Sequence, residues 1–154
     1  MRFRVIAVGK PRAAFLREAI DDFATRAGRY WPLDQHEVRE EPSRALDESS
    51  VRRREGERLR ERLPSAGLVV ACDATGQAWS SEQFARWMRT RQEAARDVSF
   101  LIGGAFGLDP ALRDAADERL AVAPWTLPHD LARLVLLEQL YRAGTIVRGE
   151  PYHK

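Results

Sequence analysis

Val98-Ser-Phe-Leu-Ile-Gly-Gly-Ala-Phe-Gly-Leu-Asp-Pro110 holds a strand-length apolar run, a glycine-rich bend and the start of a helix in one short span. Asp109 before Pro110 reads as an N-cap followed by proline at the first helical position, where its missing N–H costs nothing. A strand feeding directly into a helix is the repeating unit of an α/β layer fold. The glycines Gly103, Gly104 and Gly107 let a ligand approach main-chain amides at the strand's end. The bend matches neither the dinucleotide fingerprint nor a phosphate-cradling loop with its Lys and Ser/Thr, and a plain tight turn reads equally well.

The same alternation extends in both directions. Phe3 to Val8, Leu68 to Cys72 and Arg119 to Val122 are further strand-length apolar runs, and Leu33 to Arg39 is a weaker one. Continuous apolar strands belong to a parallel sheet buried on both faces. Helical stretches lie near Ala13 to Arg29, Asp47 to Leu63, Ser81 to Glu93 and Pro110 to Asp117, with Ser80 or Ser81 available as a cap. Two more strand ends have loop character, Val70 to Gly76 and Val122 to Leu127. In open α/β sheets ligands bind at the carboxyl ends of strands. If the three bends are adjacent, they form one pocket walled by main chain, suited to a flat heterocycle.

At 154 residues the chain is expected to form a single domain, 1–154, with a proper core. Its 25 Lys and Arg against 23 Asp and Glu leave a net charge of +2, and all the cations except Lys10 and Lys154 are arginine. Arginine suits phosphate, but the near balance argues against indiscriminate binding to nucleic acid through charge alone. One cysteine, Cys72, excludes an internal disulfide. With no secretory leader pattern and no apolar run of bilayer length, the protein is expected to be cytoplasmic and not membrane-bound.

Individual motifs have plain and functional readings. Arg52-Arg53-Arg54, Arg58, Arg60 and Arg62 interleave with Glu48, Glu55, Glu57 and Glu61 at helical pair spacing, which reads as a solvated helix face, with contact to RNA as the other reading. Cys72 reads as packing rather than a nucleophile. His129, between Pro128 and Asp130, reads as a capping or interface residue. Three histidines without paired spacing point to no metal site, and Trp31, Trp79 and Trp87 read as core or interface anchors. From Leu131 to Leu137 only Arg133 is polar, so that helix needs cover on more than one side, and a partner subunit is the expected source of part of it. Gly149 and Pro151 then stop the helix, leaving Tyr152, His153 and Lys154 at a terminus where they can close over a site.

Taken together, Phe100-Leu-Ile-Gly-Gly-Ala-Phe-Gly-Leu-Asp109, Thr126-Leu-Pro-His129, Glu138-Gln-Leu-Tyr-Arg-Ala143 and Pro151-Tyr-His-Lys154 resemble the ribosomal RNA large subunit methyltransferase H family, of the SPOUT class. The likeness runs over the whole chain, including Val5-Ile-Ala-Val-Gly-Lys10 and Glu55-Gly-Glu57, and is weakest between Asp34 and Val51. It implies an α/β knot: a mostly parallel sheet, helices on both faces, and a C-terminal trefoil knot that ordinary chain topology disfavours. It further implies a homodimer that uses S-adenosylmethionine to methylate N3 of a pseudouridine in 23S rRNA of the assembled 70S ribosome. Carried over residue by residue, the cofactor positions are Cys72, Gly103 and the run Val122, Ala123, Pro124, Trp125, Thr126 and Leu127.

The family's catalytic region maps onto Arg142, Tyr152 and His153, with Lys154 against the RNA backbone. The N3 of a uracil ring carries a hydrogen that must leave. His153 is the first choice of base or proton relay. Arg142 would stabilise the developing anion or hold a phosphate, and Tyr152 would stack on the base or hydrogen-bond to it. The chain departs from the family at Ala123 and Trp125, where Ser and Met are common, at Pro124, which has no amide hydrogen, and at Cys72, where a larger aliphatic residue is common. The changes at Pro124 and Trp125 support one alternative, a noncatalytic ribosome-binding module of the same fold; a second, a nucleotide-binding α/β enzyme of ordinary topology, is disfavoured by the absence of a phosphate loop.

Overall fold

The computed structural model describes residues 1–153, without the side chains of Ala45 and His153. Five strands, β1 (Phe3–Val8), β2 (Leu33–Val38), β3 (Leu68–Ala78), β4 (Val98–Ile102) and β5 (Glu118–Ala121), form one sheet in the order β2-β1-β4-β3-β5. Every pairing between them is parallel. Helices α1 (Ala14–Ala27), α2 (Glu48–Glu61), α3 (Ser81–Glu93), α4 (Pro110–Asp114) and α5 (His129–Val147) connect or follow the strands.

Side chains alternate across a strand, so adjacent residues enter opposite layers. Val5 and Ala7 of β1, with Phe100 and Ile102 of β4, pack with Ile20 of α1, Met88 of α3 and Leu136, Leu137 and Leu140 of α5. Ile6, Val8 and Leu101 pack with Leu59 of α2 and Leu112 of α4 on the other side. Each large side chain buried this way contributes about 1.5–3 kcal/mol. The sheet is therefore buried on both faces, as the continuous apolar strands required.

Two sequence expectations change in detail. Strand β3 does not end at Cys72: it bulges outward, so that Cys72 and Gln77 both register with Leu120 of β5, and it continues to Ala78. Asp109 precedes Pro110 as expected but makes no side-chain cap hydrogen bond; its side chain instead lies against Gly56 of α2, where an added Cβ would stand 2.7 Å from Asp109 Cβ. The cover of α5 comes largely from its own chain. Helices α1 and α3 flank it, and Leu131 is its only exposed large apolar residue. Arg133 is tolerated there because its guanidinium meets Glu37 at 2.6 Å and Gln35 at 2.8 Å, both on β2. The expected cap at Ser80 is present as a capping box: Ser80 Oγ accepts from the Gln83 amide at 3.2 Å and Gln83 Oε1 from the Ser80 amide at 2.7 Å.

Candidate active site

The bulge of β3 and the carboxyl ends of β4 and β5 open onto one cleft of about 840 Å³, a size suited to a nucleoside-like ligand. Its walls are the three bends anticipated from sequence, with Cys72 to Ala74 from β3, Ile102 to Leu108 after β4, and Val122 to Pro128 after β5, joined by His129 and Ala132 of α5. Seven of the eight expected cofactor residues line it: Cys72, Gly103, Val122, Ala123, Trp125, Thr126 and Leu127. Pro124 is exposed and lies outside the wall.

Close approach explains the glycines. A Cβ on Gly103 would stand 2.4 Å from the Gly107 carbonyl carbon, and one on Gly104 would stand 2.7 Å from Glu55 Oε2. The bend can fold this tightly only without side chains at those positions.

The cleft's charged lining is acidic. Among the described residues Glu48 and Asp73 line it, His129 is its one imidazole, and no Lys or Arg contributes. Burial works against ionisation of Asp73, but the Thr75 hydroxyl and amide, with Arg113 and Arg119 nearby, hold its carboxyl below the ordinary range. The Thr75 amide donates to Asp73 Oδ1 at 2.9 Å. Burial, with Asp73 adding to it, pushes the Cys72 thiol up to about 12, so it is a protonated wall group at neutral pH and no nucleophile. His129 does not cap its helix; its Nε2 lies 3.2 Å from Asp130 Oδ1 while the ring lines the cleft.

The other expected functional group lies at the far end of α5. Arg142 Nε donates to Glu138 Oε1 at 2.9 Å, and the Tyr152 hydroxyl donates to the same oxygen at 3.1 Å. The Arg142 guanidinium sits 4.8 Å from the Tyr152 ring centroid, and Tyr152 packs on Tyr141 with centroids 4.5 Å apart. Hydrogen bonding to Glu138 raises Arg142 further, so it is a fixed cation. Burial and the Glu138 charge raise Tyr152, so its phenol keeps its proton at neutral pH. Lys154 and the side chain of His153 lie outside the described residues.

Cleft and tail are not brought together within one chain. From His129 to Arg142 the helix rises about 20 Å, at about 1.5 Å per residue. Sequence reasoning also missed Glu138, the shared acceptor that organises the tail, and Glu55, which is buried rather than part of a solvated face. The spacing of Glu138 and Arg142, four apart on a helix, was a signal for the first. Arg53 with Glu57, at 3.1 Å and both exposed, behaves as the solvated pair expected on α2; Arg58 and the half-exposed Arg54 pair with the buried Glu41 carboxylate.

With a parallel sheet whose β3 bulge and β4 and β5 ends bend round one cleft, the chain matches the family model described as predicted SPOUT methyltransferase over residues 1–153. Ribosomal RNA large subunit methyltransferase H from Gemmatimonas aurantiaca is 58% identical over 154 residues, covering 100% of both chains. The protein of that name from Anaeromyxobacter sp. (strain Fw109-5) is 47% identical, again over 100% of both. The chain belongs to the ribosomal RNA large subunit methyltransferase H family. A solved structure of a probable methylase family protein from Haemophilus influenzae shares the fold, with a TM-score of 0.54 at 16% identity over 99% of this chain and 70% of that one.

Proposed function

We propose that this chain methylates N3 of a pseudouridine in 23S rRNA of the assembled ribosome, as a homodimer in which the cleft of one copy works with the tail of the other. The methyl donor is S-adenosylmethionine and the substrate class is 23S rRNA, as membership of the family implies. The cleft fits that donor: its bends expose main chain for a heterocycle, its bare glycines admit close approach, and its carboxylates suit hydroxyl groups and positive charge. When bound, the donor supplies an electrophilic methyl group, and placing that methyl in line with the acceptor supplies much of the acceleration.

The rest of the chemistry belongs to the chain's own side chains. Tyr152 keeps its proton, so it serves as a hydrogen-bond donor or stacking surface and not as the base. Arg142 uses Nε and one terminal nitrogen on Glu138; its remaining N–H groups are available to an anion developing on the acceptor ring or to a phosphate. We assign proton removal to His153, and RNA backbone contact to Lys154, on the resemblance alone.

The observation that carries the dimer is the length of α5 between cleft and tail. Arg142 and Tyr152 cannot reach the cleft of their own chain without unwinding a helix whose inner face is core. Exposed Leu131 and Trp125 beside the cleft offer apolar surface to a second copy. We also read the C-terminal half as knotted. The bulge of β3 against β5, and Gly76 lying where a Cβ would be 2.7 Å from Leu120 main chain, support that reading. Residues 1–154 are read as one domain on the strength of the single sheet, and work on ribosomes places the protein in the cytoplasm.

Labelled S-adenosylmethionine and ribosomes lacking the modification test the substrate: label is expected on N3 of one pseudouridine, and label on another ring overturns the assignment. Mixing tests the dimer. Gly103→Val, crippled in the cleft, and Arg142→Ala, crippled in the tail, are each inactive alone; co-folded, they regain activity if the tail serves the other copy's cleft and stay inactive if it serves its own.

A further inference from the structure

Glu55 is 2% exposed, and only one of its carboxyl oxygens is satisfied within the protein. Oε1 accepts from the Glu41 amide at 3.0 Å. Oε2 is buried without a hydrogen-bond partner among the described residues, and it lies 2.7 Å from the place where a Cβ on Gly104 would be. Gly104 is wall of the cleft. A carboxyl oxygen thus stands directly behind the wall, separated from the cleft by a residue with no side chain. Leaving such an oxygen unpaired costs stability, which calls for a role.

The surroundings suggest what that role is. Burial pushes Glu55 up and the Glu40 charge adds to it, while the Glu41 amide, Arg58 and His129 favour the ionised form. Glu48 and Asp73 line the same cleft, and among the described residues no Lys or Arg lines it with them, although Arg113 and Arg119 lie near Asp73. S-adenosylmethionine carries a sulfonium, an ammonium and a carboxylate, one net positive charge. Its product, S-adenosylhomocysteine, has a neutral thioether in place of the sulfonium and no net charge. The two have nearly the same shape, so main-chain bends alone discriminate poorly between them, whereas a negative field in a low-dielectric wall acts on the difference.

We propose that Glu55, acting across the bare main chain of Gly104 and together with Asp73, makes the cleft favour the cationic methyl donor over its neutral product, so that Glu55 is a specificity-determining residue of the transfer site. The inference rests on the reading that S-adenosylmethionine occupies this cleft. It gives the enzyme a means of releasing spent cofactor after each transfer, because the chemistry removes the charge that the wall holds.

Calorimetric titration of the full-length protein with each compound tests it, comparing wild type with Glu55→Gln, which keeps the acceptor for the Glu41 amide and removes the charge. The wild type is expected to bind the donor more tightly than the product. Glu55→Gln is expected to reduce that ratio by about tenfold, the scale of one charge pair at protein-like dielectric. Asp73→Asn, which keeps an acceptor for Thr75, moves the ratio the same way and decides the matter if thermal melting shows that Glu55→Gln does not fold. Equal weakening of both compounds, leaving the ratio unchanged, overturns the proposal and leaves Glu55 a packing residue. Failure of either compound to bind the wild type is a different result, since it removes the cofactor from the cleft.

Discussion

The two ends of α5 are built on opposite plans. At its N-terminal end the cleft is made of main chain, from three bends in which glycines are required and most other side chains are incidental. Within the third bend Pro124 stays outside the wall and Trp125 is 76% exposed. At the C-terminal end the tail is made of side chains, with Arg142 and Tyr152 sharing one Glu138 oxygen and Tyr30 holding Glu150 just before the tail. A surface made of main chain tolerates substitution wherever a Cβ has room. A cluster made of side chains depends on each member's identity.

The largest expected effect follows from the first plan. Gly103→Val places a side chain where a Cβ already stands 2.4 Å from Gly107. S-adenosylmethionine affinity is expected to fall by about a hundredfold, the upper range of an overpacking penalty, in a protein whose tail remains ordered. Unchanged affinity by calorimetry would falsify the view that this bend is shaped by contact.

Glu138→Ala examines the second plan. Arg142 and Tyr152 lose their common acceptor, and methylation is expected to drop by roughly tenfold to a hundredfold, as misplaced groups do, with donor affinity unchanged. If donor binding weakened in parallel, the two ends would not be separate devices.

The smallest effect concerns the latch before the tail. The Tyr30 hydroxyl donates to Glu150, and that bond, ahead of burial and the Glu150 charge, holds the tyrosine pKa up at about 12. A raised folded-state value means the contribution is fully present below the ordinary tyrosine pKa of about 10 and is lost as pH climbs through about 12. Alkaline pH should therefore loosen the tail, read as faster proteolysis near Glu150, while Tyr30→Phe should be loose at neutral pH and lack that alkaline step. A variant as resistant as wild type would show that the ring packing of Arg148, 4.5 Å from the Tyr30 centroid, suffices alone.

Legibility in the sequence followed the range of the interactions. The period and composition of β1 and β4, a cap at Ser80 and the bends after β4 and β5 were readable because each depends on neighbours in sequence. Glu55 was misread because helical spacing records which residues share a face, and only packing against Gly104 decides whether that face meets water. The cover of α5 depends on distance in sequence too. Its apolar run demanded burial, and α1 and α3, far away along the chain, supply part of it. Asp109 had the chemistry of a cap and an alternative in the approach of Gly56, which no local pattern records.

The amino-acid sequence by itself determined the parallel α/β layering, the places where the chain bends and the family to which it belongs, because periodicity, turn chemistry and ordered motifs are properties of residues near one another along the chain. The tertiary structure alone decided that three bends share one cleft, that a buried carboxyl stands behind its glycine wall, and that the tail lies a helix length away. These depend on strand order and on the rigid rise of α5, where free energy is set by contacts between residues far apart in sequence.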